Sequence, residues 1–430
     1  SAATEHDVSG EARDAGGKWT AGAGGGAATK EKRGPAKSPK VAQKSEERAD
    51  DEDSPGGRFA KPKAVRGEMV LAQRVGKGKD AKIVLADGSN APEHVQKMLG
   101  KIPPAWKDVQ VAVDPSSEVQ AVGFMVGKNG KRTAKTVYSD TFTMRNEALK
   151  FSRVDDLLRN WQGIHGQVQS DRKDDSKRDL ADATWLMMEQ ATRPGSEADA
   201  KGTKKLFAEK LTPQNVILGA ADKKTGIPKI SLKVGDVEVP IRDEGARAEL
   251  SRRIAEKQPL LDGKFWLKSH GATTLEGRHV VQSGDGVRLQ FMGKESVWHD
   301  HLIRDPELAK MLLDRKKKAG DDGQLFGVNE TKVRDYVAQL DGGDFLTKDL
   351  RTGRGNLIAM EAIRGADAPT NWNAYKGQVK AVADTVAHVL GNRWQQSLET
   401  YINPEVFSAW RAPLGPEPVA SRGKKAKSNA

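Results

Sequence analysis

Large apolar residues are almost absent from the first sixty positions, then recur in two rhythms. In Glu68–Val75 and Asp80–Leu85 they alternate with polar residues between glycines, which predicts short strands. Glu93–Leu99 predicts a short helix, and Trp106–Asp114, Val119–Met125 and Ala134–Ser139 predict further strands. Pro115-Ser116 and Lys128-Asn129-Gly130 supply turns. Beyond Phe142 the apolar spacing becomes helical, in Asn146–Trp161, Asp174–Ala191, Lys204–Lys210 and Asp243–Lys257. Ile230–Ile241 predicts a hairpin about Gly235-Asp236. Arg278–Val281, Val287–Met292 and Trp298–Ile303 predict three antiparallel strands, turning at Gly284-Asp285-Gly286 and Gly293-Lys294-Glu295. Helices are then expected at Asp305–Lys318, Asn329–Leu340, Thr347–Arg364, Asn371–Leu390 and Arg393–Thr400. No repeat is evident at the periods of solenoids.

This pattern predicts an α+β chain: a small β-rich N-terminal lobe and a mainly helical lobe containing a three-stranded antiparallel sheet. Residues 1–62, rich in Gly, Ala and charged side chains, cannot offset chain entropy by burial and read as a disordered arm. The β-rich domain is placed at 63–145, the helical domain at 146–415 and a basic disordered tail at 416–430.

Composition narrows the chemistry. The chain has 430 residues and a net charge of +12, which favours a polyanionic partner. It has no cysteine, so disulfides, zinc–cysteine sites and cysteine nucleophiles are excluded. No apolar run has membrane-spanning length, and no signal-peptide core is present. The first residue is Ser1, which fits a processed product or a segment of a longer polypeptide.

Cutting a phosphodiester without a metal needs a particular set of groups. Guanidinium groups match the non-bridging oxygens with paired donors and stay charged. A lysine can protonate the leaving 5′ oxygen. A tyrosine phenol can form a covalent intermediate that conserves the bond. Candidates for all of these stand in order along the chain. They are Arg193 in Ala191-Thr192-Arg193-Pro194-Gly195-Ser196-Glu197, Lys294 in Phe291-Met292-Gly293-Lys294-Glu295-Ser296 and Arg351 in Lys348-Asp349-Leu350-Arg351-Thr352. Asn392 follows in Leu390-Gly391-Asn392, and Tyr401 in Tyr401-Ile402-Asn403-Pro404.

Their order and flanks resemble the type IB DNA topoisomerases, especially the compact bacterial and poxvirus-like group. The resemblance covers roughly residues 67–410 and includes Ser269-His270-Gly271-Ala272-Thr273-Thr274-Leu275 and Ile102-Pro103-Pro104-Ala105-Trp106-Lys107-Asp108-Val109. It implies that Tyr401 is the nucleophile, that Arg193, Arg351 and Asn392 bind the scissile phosphate, and that Lys294 is the general acid. It further implies a clamp around double-stranded DNA, relaxation of supercoils through a 3′-phosphotyrosyl link without ATP or metal, and action as a monomer.

Lys131, Arg132, Lys135 and Tyr138 on the basic hairpin, with Lys150 and Arg153 in Lys150-Phe151-Ser152-Arg153, are the expected DNA contacts. Three departures stand out: Leu350 and Gly353 replace aromatic residues, Asn403 replaces a histidine, and residues 198–268 form an insertion. No cofactor is expected. His299-Asp300-His301 offers two imidazoles without an evident third ligand, and there is no P-loop spacing. The location implied is cytoplasmic and nucleoid-associated. The string Asp7-Val8-Ser9-Gly10-Glu11-Ala12-Arg13-Asp14 suggests a phage or mobile-element setting. The rival readings are a tyrosine recombinase or integrase, and a catalytically weak DNA-binding module of a larger phage-type protein.

Overall fold

A computed structural model describes residues 62–127, 130, 132–195, 204–284 and 286–417. The arm up to residue 61, Lys131 and the tail from 418 lie outside the described residues. Contacts divide the chain into two units between Ser152 and Arg153. The chain is of mixed α and β class, with several small antiparallel sheets. Among the described residues no helix is long and apolar enough to cross a membrane.

The first unit is built on one antiparallel sheet. Its strands are β1 (Met69–Val75), β2 (Lys82–Leu85), β3 (Lys107–Ala112), β4 (Val119–Val126) and β5 (Arg132–Tyr138), in the order β2-β1-β3-β4-β5. Helix α1 (Glu93–Lys97) adds Val95 to a core with Ile83, Ile102, Trp106, Val111, Ala121 and Val137. Trp106 lies over Gly123, where an added Cβ would approach its ring to 2.5 Å. Glycine is therefore needed in β4 so that the tryptophan can close the sheet.

Helix α2 (Asp140–Arg159) starts six residues before the expected Asn146, because Ser139 Oγ accepts from Phe142 N at 3.1 Å and caps it. A break at Asn160 separates it from α3 (Trp161–Asp171). Helix α4 (Arg178–Gln190) brings Ala183, Leu186, Met187 and Met188 into the main core of the second unit. That core also takes one face of the sheet β11-β10-β9, formed by β9 (Val280–Ser283), β10 (Gly286–Met292) and β11 (Trp298–Ile303).

Residues 204–267, within the expected insertion, fold around a core of their own. Helices α5 (Lys204–Phe207), α6 (Glu244–Ala255) and α7 (Gly263–Leu267) pack on a sheet of β6 (Val216–Ala221), β7 (Pro228–Val234) and β8 (Val237–Ile241). The expected hairpin is thus three-stranded. Its extra strand, Val216-Ile217-Leu218-Gly219-Ala220-Ala221, is an exposed edge with no apolar alternation to betray it. The insertion core also takes in Met292, with Trp298 packed against it, two residues before and four after Lys294.

Helices α8 (Pro306–Ala319), α9 (Glu330–Val337), α10 (Thr347–Arg364), α11 (Trp372–Leu390), α12 (Trp394–Thr400) and α13 (Ser408–Arg411) complete the second unit. Trp266 is fully buried, edge-on to Phe265 at 5.0 Å and stacked with Trp298 at 5.6 Å. Trp266→Ala is expected to cost about 3–5 kcal/mol, measured by denaturant unfolding of the second unit. A loss below about 1 kcal/mol would show that the insertion core collapses to fill the gap.

Candidate active site

Arg193 is held by backbone. Helix α4 ends at Ala191, whose left-handed φ of 50° turns the chain sharply. The following residues lie on the Gly271–Leu275 segment: Ala272 N donates to Arg193 O at 2.8 Å and Thr273 N to Pro194 O at 2.6 Å. Gly195 has φ +101°, and its added Cβ would sit 2.8 Å from Thr274 Oγ1. Glycines at 195 and 271 are what let the two segments touch.

Arg351 lies in the first turns of α10 and is almost completely buried. Its Nη1 donates to Ala191 O at 2.5 Å, and its Nη2 donates to Leu390 O. These carbonyls belong to the C-terminal ends of α4 and α11, where helix dipoles favour a cation. Two residues earlier, Asp349 accepts from Leu346 N and from both Nε and Nη2 of Arg153, at 2.6 and 3.0 Å. Leu350 is fully buried in the main core. At Gly353 an added Cβ would meet Leu157 at 2.8 Å and Trp161 at 3.6 Å. The bulk missing from α10 at that position therefore comes from α2 and α3.

Tyr401 ends α12 with none of its surface exposed. Arg193 Nη2 donates to its hydroxyl at 3.2 Å, and the guanidinium carbon of Arg351 lies 5.2 Å from the ring centroid. The surrounding backbone is stapled by Asn356 of α10, which the motif reading missed. Its Nδ2 donates to Tyr401 O at 2.8 Å, and its Oδ1 accepts from Asn403 N at 2.8 Å. Asn403 caps the next turn by accepting from Glu405 N at 3.1 Å, while its Nδ2 reaches Asp155 at 3.2 Å. Burial pushes the Asp155 carboxyl up, and the Asn403 contact opposes this.

Asn392 follows Gly391, the left-handed cap of α11 with φ 61°. Its Nδ2 is buried and has no hydrogen-bond partner among the described residues, leaving a donor for an incoming acceptor. Lys294 stands exposed in the β10–β11 connection. The turn is centred one step later than expected, on Glu295 and Ser296, both left-handed at φ 61° and 60°. Neither is glycine, so the lysine hairpin carries backbone strain of about 1–3 kcal/mol per residue, a feature common at functional sites. Burial raises the Glu330 carboxyl at the start of α9, and the charge of Lys294 counters this.

The structure thus brings Arg193 and Arg351 each against Tyr401, with Asn392 two residues beyond the Leu390 carbonyl that Arg351 holds. Lys294 lies on the exposed β10–β11 turn, where its charge acts on the Glu330 carboxyl. Of the expected DNA contacts, Arg132 pairs with Asp108 and lies 4.4 Å over Phe124. Tyr138 packs on Phe142 at 4.9 Å, and Lys150 lies 4.1 Å over Phe151. Lys135 is half-buried in β5 opposite Gly123, and the fork of Arg153 is taken up by Asp349. Lys131 falls outside the described residues.

His299 and His301 lie on one face of β11, with Nδ1 of the first 3.1 Å from Nε2 of the second. Among the described residues no three His, Asp or Glu side chains converge as metal ligands. Burial first, then His301, Arg351 and Arg193, holds His299 well below the ordinary imidazole range. Burial and Arg351 press His301 to about 4. His270 and His279 are also held low, burial again leading.

Two comparisons bear on this site. The family model described as the catalytic core of eukaryotic DNA topoisomerase I matches residues 266–404, which include Lys294, Arg351, Asn392 and Tyr401. The chain is also similar to the DNA topoisomerase 1B of Acanthamoeba polyphaga mimivirus. The two are 22% identical over 348 residues, which is 73% of this chain and 81% of that protein.

Two outcomes are expected. Asn356→Ala leaves the Tyr401 carbonyl and the Asn403 N–H unpartnered and should cost about 1–3 kcal/mol for each orphaned group. An unchanged unfolding midpoint would exclude the staple. The four histidines set a pH window. Unfolded, they take up protons as pH falls through about 6.5, while the folded state resists. Their stabilising contribution is complete above that pH and is lost progressively towards 4, where His301 titrates. The melting temperature should fall between pH 7 and 5, above the range in which ordinary carboxylates protonate. A flat profile would refute the buried neutral imidazoles.

Proposed function

The chain is a type IB DNA topoisomerase, and we propose that it relaxes supercoiled DNA by transient single-strand cleavage with Tyr401 as nucleophile. One observation carries the assignment of the nucleophile: the Tyr401 hydroxyl accepts from Arg193 Nη2 at 3.2 Å while Arg351 lies against its ring. Two fixed guanidiniums beside a phenol match the non-bridging oxygens of a phosphodiester.

The proposed course conserves bond and charge. Tyr401 Oη attacks the phosphorus as its phenol proton passes to solvent, the bond to the 5′ oxygen breaks, and a 3′-phosphotyrosyl link forms. Arg193, Arg351 and the buried amide of Asn392 hold the non-bridging oxygens. Lys294 gives its proton to the departing 5′ oxygen, which leaves as a hydroxyl. The free end swivels, then its 5′ hydroxyl attacks the phosphotyrosine, returning its proton to Lys294 and expelling Tyr401, which takes a proton back from solvent. The strained turn at Glu295–Ser296 suits a lysine that must be delivered to one atom. No step in this scheme calls on ATP or a metal ion. We further propose that the chain closes as a clamp on duplex DNA and acts as a monomer.

Arg351 differs from Arg193 in what its loss would cost. Arg193→Ala is expected to slow cleavage by about 10²–10³ with little change in stability. Arg351→Ala should slow it comparably and also destabilise the fold, because two buried carbonyls lose their donor. The deciding measurement is plasmid relaxation in EDTA without ATP. The parent should relax DNA and form a covalent adduct, and Tyr401→Phe should bind DNA but do neither. Relaxation by the Tyr401→Phe variant would remove Tyr401 from its role. Binding without relaxation by the parent would favour a DNA-binding module.

A further inference from the structure

Lys294 and Asn392 are each preceded by a glycine, and one aromatic ring fills the space beside both. A Cβ added to Gly293 would lie 2.6 Å from both Cδ2 and Nε2 of His299. A Cβ added to Gly391 would lie 2.7 Å from Cε1 of the same ring. Gly391, at φ +61°, is favoured as glycine by conformation alone. Gly293 is not: its φ of −93° and ψ of −168° are extended backbone open to any residue. The imidazole is what demands glycine at 293. The ring is fixed on its other sides as well. It stacks on Phe291, its direct partner across the β10–β11 ladder, at 4.8 Å and 12°, and its Nδ1 meets His301 Nε2.

We propose that His299 is a positioning residue whose ring keys the lysine hairpin to the α11–α12 turn, so that Lys294 and Asn392 are set as a pair about the scissile phosphate. This rests on the catalytic reading above and adds a residue to it. The groups that face the pair are Arg193 and Arg351 for His299, and Arg351, Asp300 and His388 for His301. Together with burial, the guanidiniums keep the key uncharged. It is thus a flat wedge that shares one proton with His301 and adds no third cation beside them. By the family resemblance the position of Asn392 often holds a histidine. Here an imidazole from β11 supports the asparagine from behind.

The test is single-turnover cleavage of a suicide duplex by the parent, His299→Ala, Gly293→Ala and the double variant. Each single change is expected to slow cleavage roughly 10–100-fold, as a displaced catalytic group does, with DNA affinity unchanged. The double variant should be no slower than His299→Ala, since removing the ring makes room for the new Cβ. A substrate with sulfur as the bridging 5′ atom, whose thiolate leaves without protonation, should recover more of the loss in His299→Ala than in Arg193→Ala. Should His299→Ala not fold, Gly293→Ala, which keeps every side chain, carries the sulfur comparison. Multiplicative losses in the double variant, or equal relief by sulfur in the two comparisons, would overturn the proposal. Absence of any covalent adduct with the parent would instead overturn the cleavage reading itself.

Discussion

The site depends on one guanidinium placed across two helix ends. Arg351 donates to Ala191 O at the end of α4 and to Leu390 O at the end of α11, and each helix delivers a candidate phosphate ligand two residues later, Arg193 and Asn392. A buried charge would ordinarily be costly, but converging helix C-termini supply the opposing partial charge. Asp349, Arg153 and the fully buried Leu350 fix the helix that carries it. The same charge then shapes its neighbours. It lies against the Tyr401 ring and helps keep His299 and His301 neutral.

Elements with a strong period were legible in the sequence: the strands of the first unit, the β9–β11 sheet and the long helices α8, α10 and α11. The candidates Arg193, Lys294, Arg351, Asn392 and Tyr401 each sit in a local string with its own flanks, and of these the structure places Arg193 and Arg351 against Tyr401. What was hidden depends on contacts distant in sequence or on exposure. Strand β6 has no buried stripe to read. The start of α2 was set by one hydroxyl, Ser139. Asn356 sits in an unremarkable string and His299 in one that reads as an incomplete metal motif, and their roles follow only when residues 45 and 92 positions away arrive beside them. A glycine with ordinary dihedrals beside Lys294 was the one signal that could have pointed to His299.

The departures from the family pattern also resolve locally. Leu350 fills a core position. Gly353 is a notch for Leu157 and Trp161. Asn403 serves as a cap and as the partner of Asp155, two hydrogen-bonding tasks for one short amide. These replacements alter which element supplies the bulk or the bond and leave the backbone around Tyr401 anchored through Asn356.

The segment 204–267 is tied to the lysine hairpin. Its core closes over Met292 and Trp298, so the lysine hairpin has one strand face in each of two cores. An appendage joined only at its ends can be lost by a simple deletion. This one cannot, because its removal would bare a tryptophan and a methionine at the root of Lys294.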